Sequence, residues 1–354
     1  MTTLGILLEG LPANLTVTYA QQAEAAGFGR LWLPEIIFTD AIVPATAAAL
    51  ATEQIEIGFG VVGIWSRSPV TMALETATLH AVSNERLVIG LGTQARGYVN
   101  NWHDRTYERP VRAMREFITI LKGILSGEAT TFQGEIFRIQ QFQLMAMPPE
   151  KRAPIHMAAI GPQMIQLAGE IADGLLGYAY SVEYLRDVVL PNLAIGAERS
   201  GRSLDNFDIG VGLPAIVGSD HAYEQITGQV VMFATAVDSS PAYAASFEAA
   251  GFGPQAQEIR DRVAAGDVTG ALDTVTHEMA DALTIAGTGD HARERIDQYF
   301  KAGATSVVLN PSAPGAFYPL YEGHFPADTA FPEFDFPGYL GVIEGTISAM
   351  ETMP

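Results

Sequence analysis

The sequence alternates short apolar runs with longer amphipathic segments, and this alternation limits the fold more than any other feature. Eight runs have the length and β-branched character of strands, from "TLGILLE" at the N-terminus to "TSVVLNP" near the end. Helix-like segments separate them, such as "RPVRAMREFITILKGILSG". Strands that alternate with helices and are apolar throughout predict a parallel sheet with both faces buried.

Eight strand–helix units are the number found in a TIM barrel. The competing arrangement, a doubly wound open sheet, needs a point where the strand order reverses, and the sequence shows none. We therefore predict an α/β fold of the (β/α)8 TIM-barrel class, with one domain over residues 1–314. A helical insertion is expected at about 222–286, and an alternating stretch within 125–150 predicts a hairpin outside the barrel. Residues 315–354, rich in proline and aromatic residues, are predicted to form an extended tail on the barrel or on a partner subunit.

Composition excludes several classes of function. The 354-residue chain has a formal net charge of -20, so its surface repels nucleic-acid phosphates and anionic lipid. Cysteine is absent, which excludes disulfides, thiolate metal ligands and cysteine nucleophiles. The histidines lack metal-ligand spacing, and the serines lack the G-x-S-x-G elbow of hydrolases. Because no signal region or membrane-length apolar run is present, we expect a cytoplasmic protein without nucleic-acid, membrane or metal partners.

Acidic residues follow the first two predicted strands, and in a TIM barrel the active site lies at the carboxyl ends of the strands. Glu9 follows the first strand, and Glu35 and Asp40 follow the second. A carboxyl group buried there can act in proton transfer, and a hydrogen-bonding or solvated role is the alternative for each. His103, after the fourth strand, is the histidine best placed for acid–base chemistry, and the alternative is that it caps its loop.

The fifth predicted strand ends at Gly161-Pro162, and a helix begins at once. Proline suits the first helical position because its missing N–H would have no partner there. The next amides, those of Gln163 and Met164, are expected to lack an intrahelical acceptor, which makes this helix start a candidate phosphate site. The alternative is that the Gly-Pro pair only begins a helix.

Glycines also mark the end of the fourth strand, in "GLGTQARG". Glycines at this place either let a planar ligand lie against the backbone or let a helix pack closely. A lone G-x-G does not decide between the two.

Four stretches together resemble the bacterial luciferase-like flavin and deazaflavin oxidoreductases, and among them the coenzyme F420-dependent, methylenetetrahydromethanopterin reductase-like group. They are "AEAAGFGRLWLPEIIFTDAIVPATAAALAT", "IEIGFGVVGIWSRSPVTMALETATLHAVSNERLVIGLGT", "NNWHDRTYERPVRAMREFITILKGILSGE" and "PIHMAAIGPQMIQLAGEIADGLL". "ALTIAGTGDHARERIDQYFKAGATSVVL" resembles the usual ending of the family. The resemblance implies a TIM barrel that holds its cofactor at the carboxyl ends of the strands.

The resemblance also implies a set of cofactor-binding residues. Gly60 and Val61 match the family's non-prolyl cis peptide bond behind the central ring, and Thr93 and Gln94 match positions at the polar edge of that ring. The positions that match the path to the phosphate are Ala158, Gly161, Pro162, Gln163, Leu176 and Gly177.

One position departs from the family pattern. Many members have a histidine just after the acid that ends the second strand, where this sequence has Ile36 and Ile37. If that histidine donates the proton elsewhere, either Glu35, Asp40 or His103 replaces it here, or the chemistry differs. The anionic tail of F420 would also meet an acidic surface, which local arginines such as Arg67 and Arg96 would have to offset.

Three hypotheses follow for the function. The first is an F420-dependent oxidoreductase that transfers a hydride between the deazaflavin and a small organic substrate, with an acid near the mouth protonating the developing anion. The second is an FMN-dependent luciferase-like monooxygenase. The third is a non-catalytic cofactor-binding partner subunit. We expect a homodimer, because a tail rich in proline and aromatic residues is costly to leave exposed.

Overall fold

The computed structural model describes residues 2–36, 39–145, 149–236, 242–313 and 335–351. Within them, eight parallel strands form a closed barrel in which each strand pairs with the next along the chain and the last pairs with the first. The strands are β1 (Thr3–Leu7), β2 (Arg30–Leu33), β3 (Glu56–Phe59), β4 (Leu87–Gly92), β5 (Ile155–Ala158), β6 (Gly174–Tyr178), β7 (Asp208–Val217) and β8 (Ser306–Pro311). The predicted TIM barrel is confirmed.

Helices surround the barrel and fill the connection between β7 and β8. They are α1 (Ala13–Ala25), α2 (Ile42–Ala51), α3 (Pro69–Val82), α4 (Arg96–Trp102), α5 (Pro110–Leu125), α6 (Pro162–Ile171), α7 (Val182–Tyr184), α8 (Leu190–Ser200), α9 (Ala222–Thr235), α10 (Ala242–Ala249), α11 (Gly253–Ala264), α12 (Val268–Asp273), α13 (His277–Leu283), α14 (Gly289–Lys301) and α15 (Phe336–Met350). A π-helical turn, Leu185–Val189, joins α7 to α8. No helix in the described part of the chain is long and apolar enough to cross a membrane.

Four further strands lie outside the eight units. Val62–Gly63 pairs with the end of β4, and Ile285–Gly287 pairs with the end of β7. Thr130–Gln133 and Arg138–Phe142 form the antiparallel hairpin that the alternating sequence predicts.

The barrel interior is filled by side chains that alternate with those facing the helices. Leu7, Trp32, Val88, Leu176 and Val308 form a separate buried cluster, whereas their sequence neighbours on the same strands belong to the core between barrel and helices. This alternation follows from the two-residue period of a strand. Residues two positions beyond this layer therefore point into the mouth of the barrel at the carboxyl ends of the strands.

Charged groups close the opposite, N-terminal end of the barrel. Arg30 donates from Nη1 to Asp208 at 2.5 Å and from Nε to Glu56 at 2.8 Å. Burial alone would raise the pKa of Asp208, but the Arg30 charge prevails and lowers it to about 2. His156 is only 2% exposed, and burial followed by the Arg30 charge lowers its pKa to about 4. This network lies at the starts of the strands, away from the mouth, so its role is structural.

The C-terminal segment contains a helix where an extended tail was expected. Helix α15 packs against α1, α14, β7 and β8. Asp335 caps it by accepting a hydrogen bond from the amide of Gly338 at 2.9 Å, and Tyr339, Ile343 and Ile347 form its buried face at helical spacing. Residues 315–334 and 352–354, the remainder of the predicted tail, lie outside the described residues.

Candidate active site

The turn after β3 forms the floor of one half of the mouth. The Gly60–Val61 peptide bond is cis, as the resemblance implied. The amide of Gly60 donates to Leu33 at 2.9 Å, and the Val61 carbonyl accepts from the amide of Glu35 at 3.1 Å. The Val61 side chain packs on the interior apolar layer of the barrel. It therefore presents a branched apolar surface to whatever binds above it.

The glycines at the end of β4 make room for this turn. A Cβ atom on Gly92 would lie 2.5 Å from Cγ2 of Val61, and one on Gly90 would collide with the carbonyl oxygen of Phe59. The glycines of "GLG" were expected to make room for a planar ligand or for a closely packed helix. The space beside them is instead occupied by β3 and the turn that follows it. The sequence could not show this, since the contact joins residues about 30 positions apart.

Thr93 and Gln94 follow β4 and carry the polar groups of this half. Thr93 Oγ1 accepts a hydrogen bond from Tyr107 Oη at 3.3 Å. Gln94 has a left-handed backbone (φ 56), and its carboxamide lies over Gly63, where any larger residue would collide with it. Its Oε1 is buried and has no hydrogen-bond partner among the described residues. An acceptor in that state suits an N–H or O–H donor on the edge of a bound ring.

Tyrosines after β6 hold the chain that leaves β5. Tyr180 Oη donates to the carbonyl of Ala159, and Tyr184 Oη donates to that of Ile160 at 2.8 Å. A Cβ atom on Gly177 would overlap the ring of Tyr180, so this glycine is needed for the ring to fit. Leu176 is part of the interior layer below. Sequence reasoning missed both tyrosines, although the aromatic stretch "YAYSVEY" was a visible signal.

Helix α6 begins at the Gly-Pro turn, and its first amides behave differently from the expectation. Gly161 has an extended backbone (φ -83, ψ 153), and among the described residues a Cβ atom placed on it would find only Ala242 within 4 Å, at 3.9 Å. The amide of Met164 donates to the Gly161 carbonyl at 3.1 Å, so the prediction that it lacks an acceptor is wrong. The amide of Gln163 has no acceptor within the described ranges. Open space and one amide therefore mark the helix start, beside Ala158 at the end of β5.

Glu9 follows β1 and Asn310 lies near the end of the neighbouring strand β8 on the other side of the mouth, and Tyr178 reaches Asn310 from the end of β6. Burial raises the pKa of Glu9 to about 7, and no charged group contributes to this shift among the described residues. Asn310 is 5% exposed and donates from Nδ2 to Tyr178 Oη at 2.5 Å, while its buried Oδ1 has no partner in the part of the chain that is described. Tyr178 reaches it across Gly212, whose missing side chain leaves the space for the ring. Sequence reasoning missed Tyr178 and Asn310, although each stands two positions after an inward-facing residue.

Both carboxylate oxygens of Glu35 bind residues of the loop after β3. One carboxylate oxygen accepts from Ser66 Oγ at 2.6 Å, and the other is paired with Arg67. Arg67 Nε also lies 3.1 Å from Glu75. Burial and the carboxylates of Glu35 and Asp40 raise the pKa of Glu75 against the lowering effect of Arg67. These contacts agree with a hydrogen-bonding role for Glu35 and leave Arg67 engaged with acids.

The remaining candidates have local contacts only. Asp40 is exposed and accepts from the amide of Val43 at 2.9 Å, which caps α2. His103 ends α4, and its ring makes no hydrogen bond with any described residue. The guanidinium of Arg96 lies over the ring of Tyr107, 5.1 Å from its centre. The structure thus brings neither Asp40 nor His103 into contact with Glu9.

Two features fall outside these contacts. Ile37, one of the positions where the family histidine is missing, lies outside the described residues. In the part of the chain that is described, no group of histidine, aspartate and glutamate could hold a metal ion.

The barrel and its mouth correspond to a known family. The family model described as "Luciferase-like monooxygenase" matches residues 5–306. The chain belongs to the luciferase-like monooxygenase family. A 5,10-methylenetetrahydromethanopterin reductase of Archaeoglobus fulgidus is 30% identical to it over 296 residues, which cover 82% of this chain and 87% of that protein.

Solved structures of other proteins share the fold. The coenzyme F420-dependent tetrahydromethanopterin reductase of Methanopyrus kandleri matches with a TM-score of 0.75 at 26% identity, over 87% of this chain and 93% of that one. A monooxygenase of Streptomyces bottropensis matches with a TM-score of 0.66 at 18% identity, over 98% of both chains. At that lower identity the likeness shows the fold alone.

Proposed function

We propose that the chain is a coenzyme F420-dependent oxidoreductase that transfers a hydride between the deazaflavin and a small organic substrate. The observation that carries the proposal is a mouth with two unlike halves. Small, neutral residues follow β3 to β5, whereas the acid Glu9 follows β1, which is diametrically opposite β5 in an eight-stranded ring. The 30% sequence identity to a methylenetetrahydromethanopterin reductase, over most of both chains, supports the same assignment.

The residues after β3 to β5 fit a planar ring with a phosphate-bearing chain. Val61 would lie beneath the ring, and Thr93 and Gln94 would meet its polar edge, where the unpaired Gln94 Oε1 offers an acceptor. The open space at Gly161 and the amide of Gln163 would receive the phosphate. A bound deazaflavin supplies the hydride chemistry, and the protein orients the reactants and excludes water.

Glu9 is the proposed proton donor among the predicted acids. A carboxyl group whose pKa is about 7 exists in both protonation states near neutrality, which suits a general acid that must also be reprotonated. When a hydride reaches the substrate, the protonated carboxyl can donate to the developing anion, and in the reverse direction the carboxylate can accept that proton. Asn310 and Tyr178, on the same side of the mouth, would orient polar groups of the substrate.

A parallel fluorescence titration with oxidised F420 and with FMN tests the proposal. We expect F420 to bind in the micromolar range and FMN to bind weakly. Binding of neither ligand would refute a cofactor role for the Gly161-Pro162 turn. The alternative, an FMN-dependent monooxygenase, is favoured by the description of the family model, and tight FMN binding with rapid oxygen uptake by the reduced complex would establish it.

We also propose that the protein is a cytoplasmic homodimer. The outer faces of α2 and α3, which are neighbours, expose Val43, Leu50 and Leu74 to 63%, 72% and 48%. Large apolar side chains exposed on neighbouring helices are typical of a contact surface. A second copy of the chain is the occupant that a symmetric, isologous contact would bring.

A further inference from the structure

A single side chain from the C-terminal helix holds the backbone of Glu9. Tyr339 Oη donates to the Glu9 carbonyl at 2.9 Å and accepts from the Glu9 amide at 3.4 Å. Tyr339 is 3% exposed. Its helix, α15, lies beyond residues 5–306, which the family model matches. Tyr339 therefore lies outside the residues that the family model matches, whereas Glu9 lies within them.

The two hydrogen bonds occur where β1 leaves the sheet. The last bond of β1 to its neighbour β2 joins the amide of Leu8 to the carbonyl of Trp32 at 3.0 Å. Gly10, just beyond Glu9, adopts a left-handed backbone (φ 65) and turns the chain away. The backbone of Glu9 thus has no strand partner among the described residues, and the phenol of Tyr339 satisfies both its donor and its acceptor.

Other contacts fix α15 independently of this phenol. Tyr19 Oη on α1 donates to Glu344 at 3.1 Å, and the guanidinium of Arg293 on α14 donates to the carbonyl of Ala349. Gly345 packs so closely on β7 that a Cβ atom there would lie 2.9 Å from the Val217 carbonyl oxygen. Loss of the Tyr339 hydroxyl alone would leave the helix in place.

We propose that Tyr339 is a positioning residue, which fixes the backbone of Glu9 so that the Glu9 carboxyl group keeps its place at the mouth of the barrel. The proposal rests on the proposed function, in which Glu9 is the proton donor. It extends that function by making the C-terminal helix part of the active site. A backbone freed at Glu9 would let the carboxyl turn towards water, where its charged form is favoured.

The test compares Tyr339→Phe with Tyr19→Phe, a matched variant that removes a buried hydroxyl between α15 and the barrel without touching Glu9. Carboxyl ¹³C NMR of glutamate-labelled protein gives the titration of Glu9, whose resonance is assigned by its loss in Glu9→Gln. In the wild type we expect a midpoint near the pKa of about 7. Tyr339→Phe should lower that midpoint by about one unit or more towards the ordinary value of about 4.3.

The control should titrate as the wild type does, and both variants should keep the wild-type affinity for oxidised F420 in a fluorescence titration. A Tyr339→Phe titration that superimposes on those of the wild type and Tyr19→Phe would overturn the proposal. Failure of every protein to bind F420 would instead contradict the proposed function, because the titration of Glu9 is measured without any ligand.

Discussion

At the scale of single residues, the proposed catalysis depends on the protonation of Glu9. Replacing Glu9 by Gln should lower kcat about 10²- to 10⁴-fold, because general acid catalysis contributes roughly that factor. The affinity for F420 should change little, since Glu9 lies across the mouth from β5. Steady-state oxidation of reduced F420 measures the change. The first substrate to test is 5,10-methylenetetrahydromethanopterin, the compound after which the similar reductases are named.

The matched control is Asp40→Asn, which alters an exposed carboxylate that caps α2. Its turnover should remain close to that of the wild type. If Glu9 is the acid, wild-type activity in the reductive direction should fall as the pH rises through about 7, because only the protonated carboxyl can donate. An unimpaired Glu9→Gln enzyme beside an inactive Asp40→Asn enzyme would identify a different proton donor.

A second residue-scale prediction concerns the buried His156, whose pKa in the folded protein is about 4. The unfolded chain takes up this proton near pH 6.5, whereas the folded protein does so only near pH 4. The free energy of unfolding should therefore fall as the pH decreases from about 6.5 to about 4, by about 3 kcal/mol from this group. Urea unfolding at several pH values checks this, and a His156→Gln variant should show a shallower fall over that interval. Equal slopes would contradict it.

At the scale of elements, the regularly repeated strands and helices could be predicted from the sequence, whereas features that depend on tertiary packing or on one local contact could not. The barrel strands were predictable because their apolar runs alternate regularly with helices. Helix α15 was not, because "FPGYLGVIEGTISAM" contains three glycines, and glycine is a poor helix former. Its stability comes from the face that Tyr339, Ile343 and Ile347 bury, and such packing is invisible in the segment itself. The amide of Met164 is a similar case, since its acceptor depends on the local turn geometry at Gly161.

The turn between β5 and α6 gives an element-scale prediction. Tyr184→Phe removes the hydrogen bond to the Ile160 carbonyl, which fixes the chain just before Gly161. Because the proposed phosphate contacts follow at once, the dissociation constant for F420 should rise about 5-fold, as expected for the loss of roughly 1 kcal/mol. Fluorescence titration measures it, with Tyr19→Phe as the control for a buried hydroxyl elsewhere. An unchanged constant would show that the turn is rigid without Tyr184.

At the scale of the whole molecule, the ring order of the strands explains which site residues the sequence could reveal. The residues after β3, β4 and β5 each lie in a continuous stretch of sequence that resembles a family, and the structure has the cis bond at Gly60–Val61 that the resemblance implied. Tyr178, Asn310 and Tyr339 meet the mouth from distant parts of the chain. They come together only because the barrel closes between β8 and β1 and because α15 packs on it. No local sequence pattern could therefore predict that they are neighbours.

The apolar faces of α2 and α3 lead to a prediction about assembly. Leu50 is 72% exposed at the end of α2, and a charge there would have to be desolvated in a symmetric contact. The wild type should have about twice the 37.9 kDa mass of one chain in light scattering, and Leu50→Glu should have the mass of one chain at low micromolar concentration. Ile195→Glu, at a 41%-exposed position on α8, should remain dimeric. A wild type with the mass of a single chain would refute the homodimer, and dissociation by Ile195→Glu alone would move the interface from α2 and α3 to α8.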